Sequence, residues 1–152
     1  MKLKYHQATF DLLGREPHVS APAVRLVEER ERACRVAFPL SVREWYALQE
    51  AEEVFLKHAG CDRAVALKDL GNEFEDWYGH GPVDFVALGL LVVMHENQGV
   101  CNWAVKLEDC NDPPVMVEVD SSSSASSAPE INWQPYADTF DLCIRPSLEN
   151  RL

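Results

Sequence analysis

Apolar residues recur at helical spacing in two stretches of the first sixty positions. From Ser20 the sequence predicts an amphipathic helix, because a serine can cap the first turn and Pro22 loses no hydrogen bond there. Its apolar stripe is Ala23, Leu26, Val27, Ala33 and Cys34. Ser41 stands three residues before Glu44, as in a capping box, and this spacing predicts a second helix of about four turns that ends near Gly60. Its buried face is Trp45, Leu48, Ala51 and Phe55.

Further along the chain the pattern changes to one typical of strands. Residues 86–94 form a nearly continuous apolar run, which predicts a strand buried on both faces. Residues 101–107 and 115–119 alternate, and short turns separate these segments. Three strands joined in this way predict an antiparallel meander, and residues 131–133 are expected to resume the sheet.

The remaining segments have weaker patterns. Residues 1–19 are predicted to be an N-terminal arm or a short irregular element, and residues 120–129 (DSSSSASSAP) a flexible loop. Asp138 is expected to cap a short helix that Pro146 ends. Helices followed by a meander predict an α+β fold, with a single domain at 20–152 whose N-terminal helices pack on an antiparallel sheet of four to six strands.

The chain is acidic, with a net charge of −11, and the excess lies in one half. Residues 1–66 hold ten Lys or Arg and ten Asp or Glu, whereas residues 67–152 hold four and fifteen, and 4 − 15 = −11. Such a field repels phosphate backbones and anionic lipids, so no nucleic-acid or membrane partner is expected. It attracts basic proteins, although acidity can also serve solubility alone.

The cysteines and the hydropathy indicate a cytoplasmic protein. No stretch approaches the roughly 20 apolar residues that cross a bilayer, and no apolar segment follows the basic start as in a signal peptide. The five cysteines are scattered, without CxxC, HxxxH or HExxH spacing. We therefore expect reduced thiols, no disulfide, no metal and no cofactor.

Candidate partner-binding residues combine carboxylates with aromatic side chains. Residues 73–78 interleave the two types, which suits an interface anchor for a basic partner. The alternative is an amphipathic turn that packs Phe74 and Trp77 inward. The turns that follow two of the strands add further acidic candidates, which are otherwise solvated turn residues. The complete set is Glu73, Glu75, Asp76, Trp77, Tyr78, Glu96, Asp109 and Asp112.

No arrangement of residues predicts catalysis. Cys101, His95 and Glu96 lie near one turn and suggest a thiol nucleophile with a base. However, Cys101 is in phase with Trp103 and Val105, so we expect a core thiol that burial keeps protonated and inert. The sequence therefore predicts a protein that is not an enzyme.

Three segments together carry a recognisable motif. They are residues 38–46 (FPLSVREWY), residues 94–105 (MHENQGVCNWAV), and a stretch from 112–115 (DPPV) to 133–140 (WQPYADTF). They resemble the SUKH superfamily, which includes yeast cell-wall synthesis regulators and many bacterial immunity proteins, over about residues 20–145. The chain departs from the family pattern in a glycine-rich turn reduced to Gly60 or Gly71 and in a last helix cut short at Pro146.

The resemblance implies a protein-binding function. Bacterial members neutralise polymorphic toxins, which are often nucleases and therefore basic. It thus implies a bacterial immunity protein that binds a cognate, basic protein toxin through an acidic face, as a monomer or weak homodimer. The alternative is an intracellular regulator or scaffold of the same fold that has no toxin partner.

Overall fold

The computed structural model describes residues 2–58, 62–75, 81–98, 101–107, 111–119, 132–140 and 144. Its helices are α1 (Gln7–Leu13), α2 (Ala21–Cys34), α3 (Leu40–Tyr46) and α4 (Ala51–His58), with a 3₁₀ turn at Leu67–Asp69. Its strands are β1 (Arg63–Ala64), β2 (Phe74–Glu75), β3 (Pro82–Val83), β4 (Leu90–His95), β5 (Asn102–Lys106), β6 (Val115–Val119) and β7 (Asn132–Ala137). The protein is a single-domain α+β fold, as the sequence predicts.

The main sheet has five strands in the order β1-β4-β5-β6-β7, and each neighbouring pair is antiparallel. The predicted meander is confirmed as β4, β5 and β6, and β7 resumes the sheet after residues 120–131. β2 and β3 form a separate two-stranded sheet. In β5, residues 102–105 are all buried, so both faces of the central strand are covered.

The apolar run at 86–94 becomes a strand only from Leu90. Residues 85–89 form a turn, closed by hydrogen bonds from the Leu88 and Leu90 N–H groups to the Phe85 carbonyl. Gly89 takes a positive φ of 77°, which a glycine adopts without strain. Leu88, predicted to be inside, is exposed because this turn carries it out of the sheet.

The prediction of an irregular arm does not hold for residues 7–13, which form α1. Phe10 is fully buried against Trp45, and His6 is fully buried with its ring edge-to-face against Trp45 and Phe140. Thr9 is buried as well. Of the two residues buried within α1, Thr9 and Phe10, one is polar, so hydropathy alone gives this helix too weak a stripe to detect.

The second predicted helix is divided in two, and the prediction that Ser41 and Glu44 form a capping box is wrong. α3 begins at Leu40, so Ser41 lies inside the helix and caps nothing. After Tyr46 the chain extends to pair with residues 18–20. Ser20 N–H donates to the Ala47 carbonyl and Gln49 N–H to the His18 carbonyl, both at 2.8 Å. A contact from distant sequence therefore breaks a helix that local periodicity predicts to be continuous.

The first predicted helix is confirmed as α2. The Ser20 hydroxyl caps it by accepting from the Ala23 N–H at 3.3 Å, and Pro22 lies in its first turn. Val27 is buried as predicted, whereas Ala33 is exposed because only a narrow stripe of α2 faces the core.

One hydrophobic core joins the helices to the sheet. Its fully buried side chains include Phe10, Val42, Trp45, Leu70, Phe85, Leu91, Val105 and Val115. None of the helices in the described ranges is long and apolar enough to cross a membrane. The predicted flexible loop at 120–129 lies outside the described residues, as does most of the helix predicted after Asp138.

Candidate protein-binding surface

Successive turns of an antiparallel meander lie at opposite ends of the sheet. The β4–β5 turn, which carries Glu96, is therefore at one end, and the β5–β6 turn, which carries Asp112, is at the other. Glu96 and Asp112, both predicted from the sequence as candidates, therefore lie about one strand length apart and do not share a site.

Carboxylates from several chain segments meet at the end that carries the β4–β5 turn. We call this surface the acidic end, and its carboxylate residues are Asp62, Glu75, Glu96 and Glu118. His95 and Asn102 are opposite each other in the β4–β5 register, with Glu96 following His95 in sequence. Pairing of β1 with β4 brings Asp62 alongside, since its neighbour Arg63 is opposite His95.

The β2 strand packs against the same end. The Phe74 ring lies edge-to-face on the His95 ring, with 4.6 Å between centroids. The Asn102 Nδ2 donates to the Glu75 carbonyl at 3.5 Å. These contacts place Glu75, whose side chain is exposed, beside the β4–β5 turn.

A hydrogen-bonded chain of side chains supports this end from inside. The Asn102 Oδ1 accepts from the His95 Nδ1 at 2.6 Å, and its Nδ2 donates to the Glu118 Oε2 at 2.7 Å. Glu118 is only 2% exposed, so the amide offsets part of the cost of burying a carboxylate. The asparagine thereby holds β4, β5 and β6 in one arrangement.

The carboxylates of the acidic end act on one another. The pKa of Asp62 is raised, first by burial and then by the charge of Glu96, and the N–H of Asn97 opposes this only in part. Glu96 itself accepts a hydrogen bond from the Gln98 N–H at 2.6 Å, which fixes it at the start of the turn. Like charges held close in this way favour any cation that binds beside them.

Cys101 belongs to the same group. Burial raises its pKa, and the charges of Glu96, Asp62 and Glu118 raise it further, to about 11. Its thiol is therefore protonated near neutral pH, in agreement with the sequence-based expectation. The side chain is half-buried at the edge of the core rather than inside it.

The other predicted candidates have different surroundings. Glu73 is exposed just before β2. Asp112 is half-buried, and its Oδ1 accepts from the Phe140 N–H at 3.2 Å, so it fastens residues 138–140 to the β5–β6 turn. Asp76, Trp77, Tyr78 and Asp109 lie outside the described residues. Across the described ranges, no group of three or more His, Cys, Asp or Glu is arranged to hold a metal.

No protein-family model, no curated protein and no solved structure matches this chain.

Two members of the acidic end were missed by the sequence reasoning. Asp62 precedes a two-residue strand, which is too short to produce a hydropathy pattern. Glu118 alternates with the valines of its strand, yet the structure buries it more deeply than Val117 or Val119. An acidic residue within an otherwise apolar strand is the one local signal that it needs a buried partner.

Proposed function

We propose that this chain is a protein-binding module without catalytic activity, and that its acidic end binds a basic protein. The observation that carries the proposal is the convergence of Asp62, Glu75 and Glu96 from three separate segments, with the buried carboxylate of Glu118 supporting them from inside. Arg63 on β1 also lies at this end, opposite His95, and contributes a positive charge there. An acidic surface speeds encounter with a basic partner and selects against acidic ones.

The resemblance to SUKH proteins supports a more specific form of the proposal. In that form the chain is a cytoplasmic immunity protein whose partner is a basic toxin, such as a nuclease that holds phosphates. The acidic end would then occupy the groove in which the toxin binds its anionic substrate. The second form is a regulator or scaffold with a basic partner that is not toxic.

The state of Cys101 supports binding rather than chemistry at this surface. A nucleophilic cysteine needs a thiolate, which neighbouring cations or a helix N-terminus stabilise. Cys101 has neighbouring carboxylates instead, and its pKa is raised to about 11. The same charges that oppose a thiolate favour a cationic side chain from a partner.

The test is recovery of the partner with matched baits. The wild-type chain, a Glu75→Lys/Glu96→Lys variant and a Glu28→Lys/Glu29→Lys control are immobilised, and bound proteins from the native host are identified by mass spectrometry. Glu28 and Glu29 are exposed on α2, so the control has the same change in charge at another surface. We expect a lysine- and arginine-rich protein that the wild type and the control retain and the acidic-end variant loses.

Reconstitution with the purified partner separates the two forms of the proposal. An immunity protein restores growth to cells that the partner alone inhibits, whereas a scaffold forms the complex without any such rescue. Retention of the partner by the acidic-end variant, folded by circular dichroism, would contradict the proposed surface. The single Glu75→Lys variant, at an exposed side chain, provides the same test should the double variant not fold.

A further inference from the structure

A second surface contains a cavity of about 240 Å³. The residues that line it are distant in sequence from the carboxylates of the acidic end, except that Ala64 on β1 is close to Asp62. The cavity lies between the start of α2, α3, α4 and residues 64–67, and we call it the α4 groove. Its lining includes Tyr46, Leu48, Glu52, Leu56, Val65 and Ala66. Most of this lining is apolar, and Glu52 is the one acidic residue among the described residues that line it.

The floor of the groove is fixed by hydrogen bonds. The Tyr46 hydroxyl donates to the Val65 carbonyl at 2.9 Å and reaches the Val93 carbonyl at 3.4 Å, so the aromatic ring is tied to the main sheet. Leu48, which is 4% exposed, is held by its bridge to Val19. A cavity with such walls exists before any guest binds, which lowers the entropic cost of binding.

The rim of the groove presents an apolar side chain to solvent. Leu56 on α4 is 66% exposed, the largest exposure among the large hydrophobic residues in the described part of the chain. It lies between the cavity and a shallower depression lined by Gln49, Glu53 and Lys57. A guest that fills the cavity would also cover Leu56 and remove its apolar surface from water.

Glu52 is the carboxylate available to a guest. Its neighbours are already paired: Glu50 with the ring of His18 at 2.6 Å, and Glu53 with Arg15 at 3.0 Å. Glu52 is exposed and has no salt bridge to another described residue. Its charge also reaches the floor, where it adds to the effect of burial in raising the pKa of Tyr46.

We propose that the α4 groove binds a short peptide segment in which a leucine-sized apolar side chain is followed by a lysine or arginine. The apolar side chain fills the cavity, and the cation pairs with Glu52. The volume favours a side chain over a free small molecule, because small-molecule sites measure roughly 300–1,000 Å³. The exposed amide of Gln49 on the rim supplies a hydrogen bond for the backbone of the segment.

This site is independent of the proposed function of the acidic end. It uses different carboxylates, and a partner recognised by the acidic end need not occupy it. Failure of one proposal therefore leaves the other standing. The test below uses only the chain and synthetic peptides.

The test is a titration followed by ¹H–¹⁵N correlation spectra. The probe is the peptide acetyl-Gly-Leu-Lys-Gly-amide, and its matched controls replace leucine with alanine or lysine with glutamine. We expect shifts at Leu48, Leu56 and Val65 with a dissociation constant in the millimolar range. The alanine peptide should bind about tenfold more weakly because it loses buried apolar area, and the glutamine peptide about threefold because it loses an exposed ion pair.

Variants of the groove complete the experiment. Ala66→Leu fills the cavity and should abolish the shifts. If that variant does not fold, Ala23→Leu on α2 fills the cavity from another side and provides the same test. Glu52→Gln should remove the preference for lysine over glutamine, whereas Glu28→Gln on α2 should leave it unchanged. Equal binding of all three peptides, shifts outside the groove, or full binding by a filled variant would overturn the proposal. Equal affinity for isopentylamine would do so as well, since the site would then take small amines.

Discussion

The Glu44 carboxylate accepts hydrogen bonds from three consecutive backbone N–H groups, those of Lys4, Tyr5 and His6, at 2.8–2.9 Å. The residue that precedes α1 is His6, whose side chain makes no cap hydrogen bond there. Glu44 therefore satisfies the N–H groups of the segment that leads into α1, about forty residues away in sequence, including that of the capping residue His6. Ser41, its supposed capping partner, has a buried hydroxyl without a hydrogen-bond partner among the described residues.

Substitutions of these two residues distinguish this arrangement from a capping box. Glu44→Gln should lower the free energy of unfolding by about 2 kcal/mol, because it removes charge-assisted hydrogen bonds to the N-terminal segment. Ser41→Ala should leave it unchanged or raise it slightly, because the hydroxyl is buried unpaired, whereas loss of a real cap would cost about 1 kcal/mol. Urea denaturation measures both, with Glu28→Gln as the surface control. A destabilised Ser41→Ala beside a neutral Glu44→Gln would favour the capping box after all.

The pKa of Cys101 makes a second prediction at the scale of one residue. Its ordinary value of 9.0 is raised to about 11, so alkylation by iodoacetamide should increase with pH up to about 11 in the folded protein. In urea the rate should level off above about pH 9. Glu96→Gln should move the folded profile to lower pH by removing one of the charges that raise the pKa. Peptide mass spectrometry follows the site, and identical folded and unfolded profiles would contradict the assignment.

Among the elements, the break between α3 and α4 depends on the strand-like segment at 18–20. Glu50 holds this segment by accepting from the His18 N–H at 3.1 Å and from its ring Nδ1 at 2.6 Å. Burial acts to raise the pKa of Glu50, but these hydrogen bonds and the charge of His18 outweigh it, and the pKa lies below 4.5. The ionised carboxylate is thus the form that the fold stabilises.

The pH dependence of this contact follows from the sign of the shift. A lowered folded-state pKa stabilises the protein above pH 4.5, and the effect is lost as the pH falls through the folded value. Glu50→Gln should therefore lower the free energy of unfolding by about 1 kcal/mol at pH 7, and this penalty should disappear as the pH falls through the folded-state pKa of Glu50. Denaturation at several pH values, with Glu29→Gln as the control, measures this. A penalty that is constant with pH would mean that the carboxylate charge is not its origin.

The elements also show what a local pattern can predict. β4, β5 and β6 follow from the alternation of apolar residues, and α2 follows from a serine cap and a helical stripe. β1, β2 and β3 have two residues each, and no period can be read from them. The division of the second helix depends on pairing with residues 18–20, which are too distant in sequence for its own periodicity to indicate.

At the scale of the whole molecule, the sequence predicts the sign of the charge and the α+β architecture but not the site. Asp62, Glu75, Glu96 and Glu118 are spread over more than fifty residues, and only strand pairing and the β2 contacts bring them together. Asp112, a separate candidate from the sequence, lies at the other end of the sheet. A cluster of this kind cannot be predicted when the sequence of each turn is considered separately.

The rate of association with the purified partner tests the role of the acidic end most directly. Stopped-flow measurements at low and moderate salt compare the wild type, Glu75→Lys/Glu96→Lys and the Glu28→Lys/Glu29→Lys control. We expect the acidic-end variant to associate about tenfold more slowly at low salt and to depend less on ionic strength, because surface charges act mainly on encounter. The control, equal in charge, should stay closer to the wild type. Equal slowing of both variants would mean that only net charge matters, and no slowing of either would mean that the partner binds elsewhere.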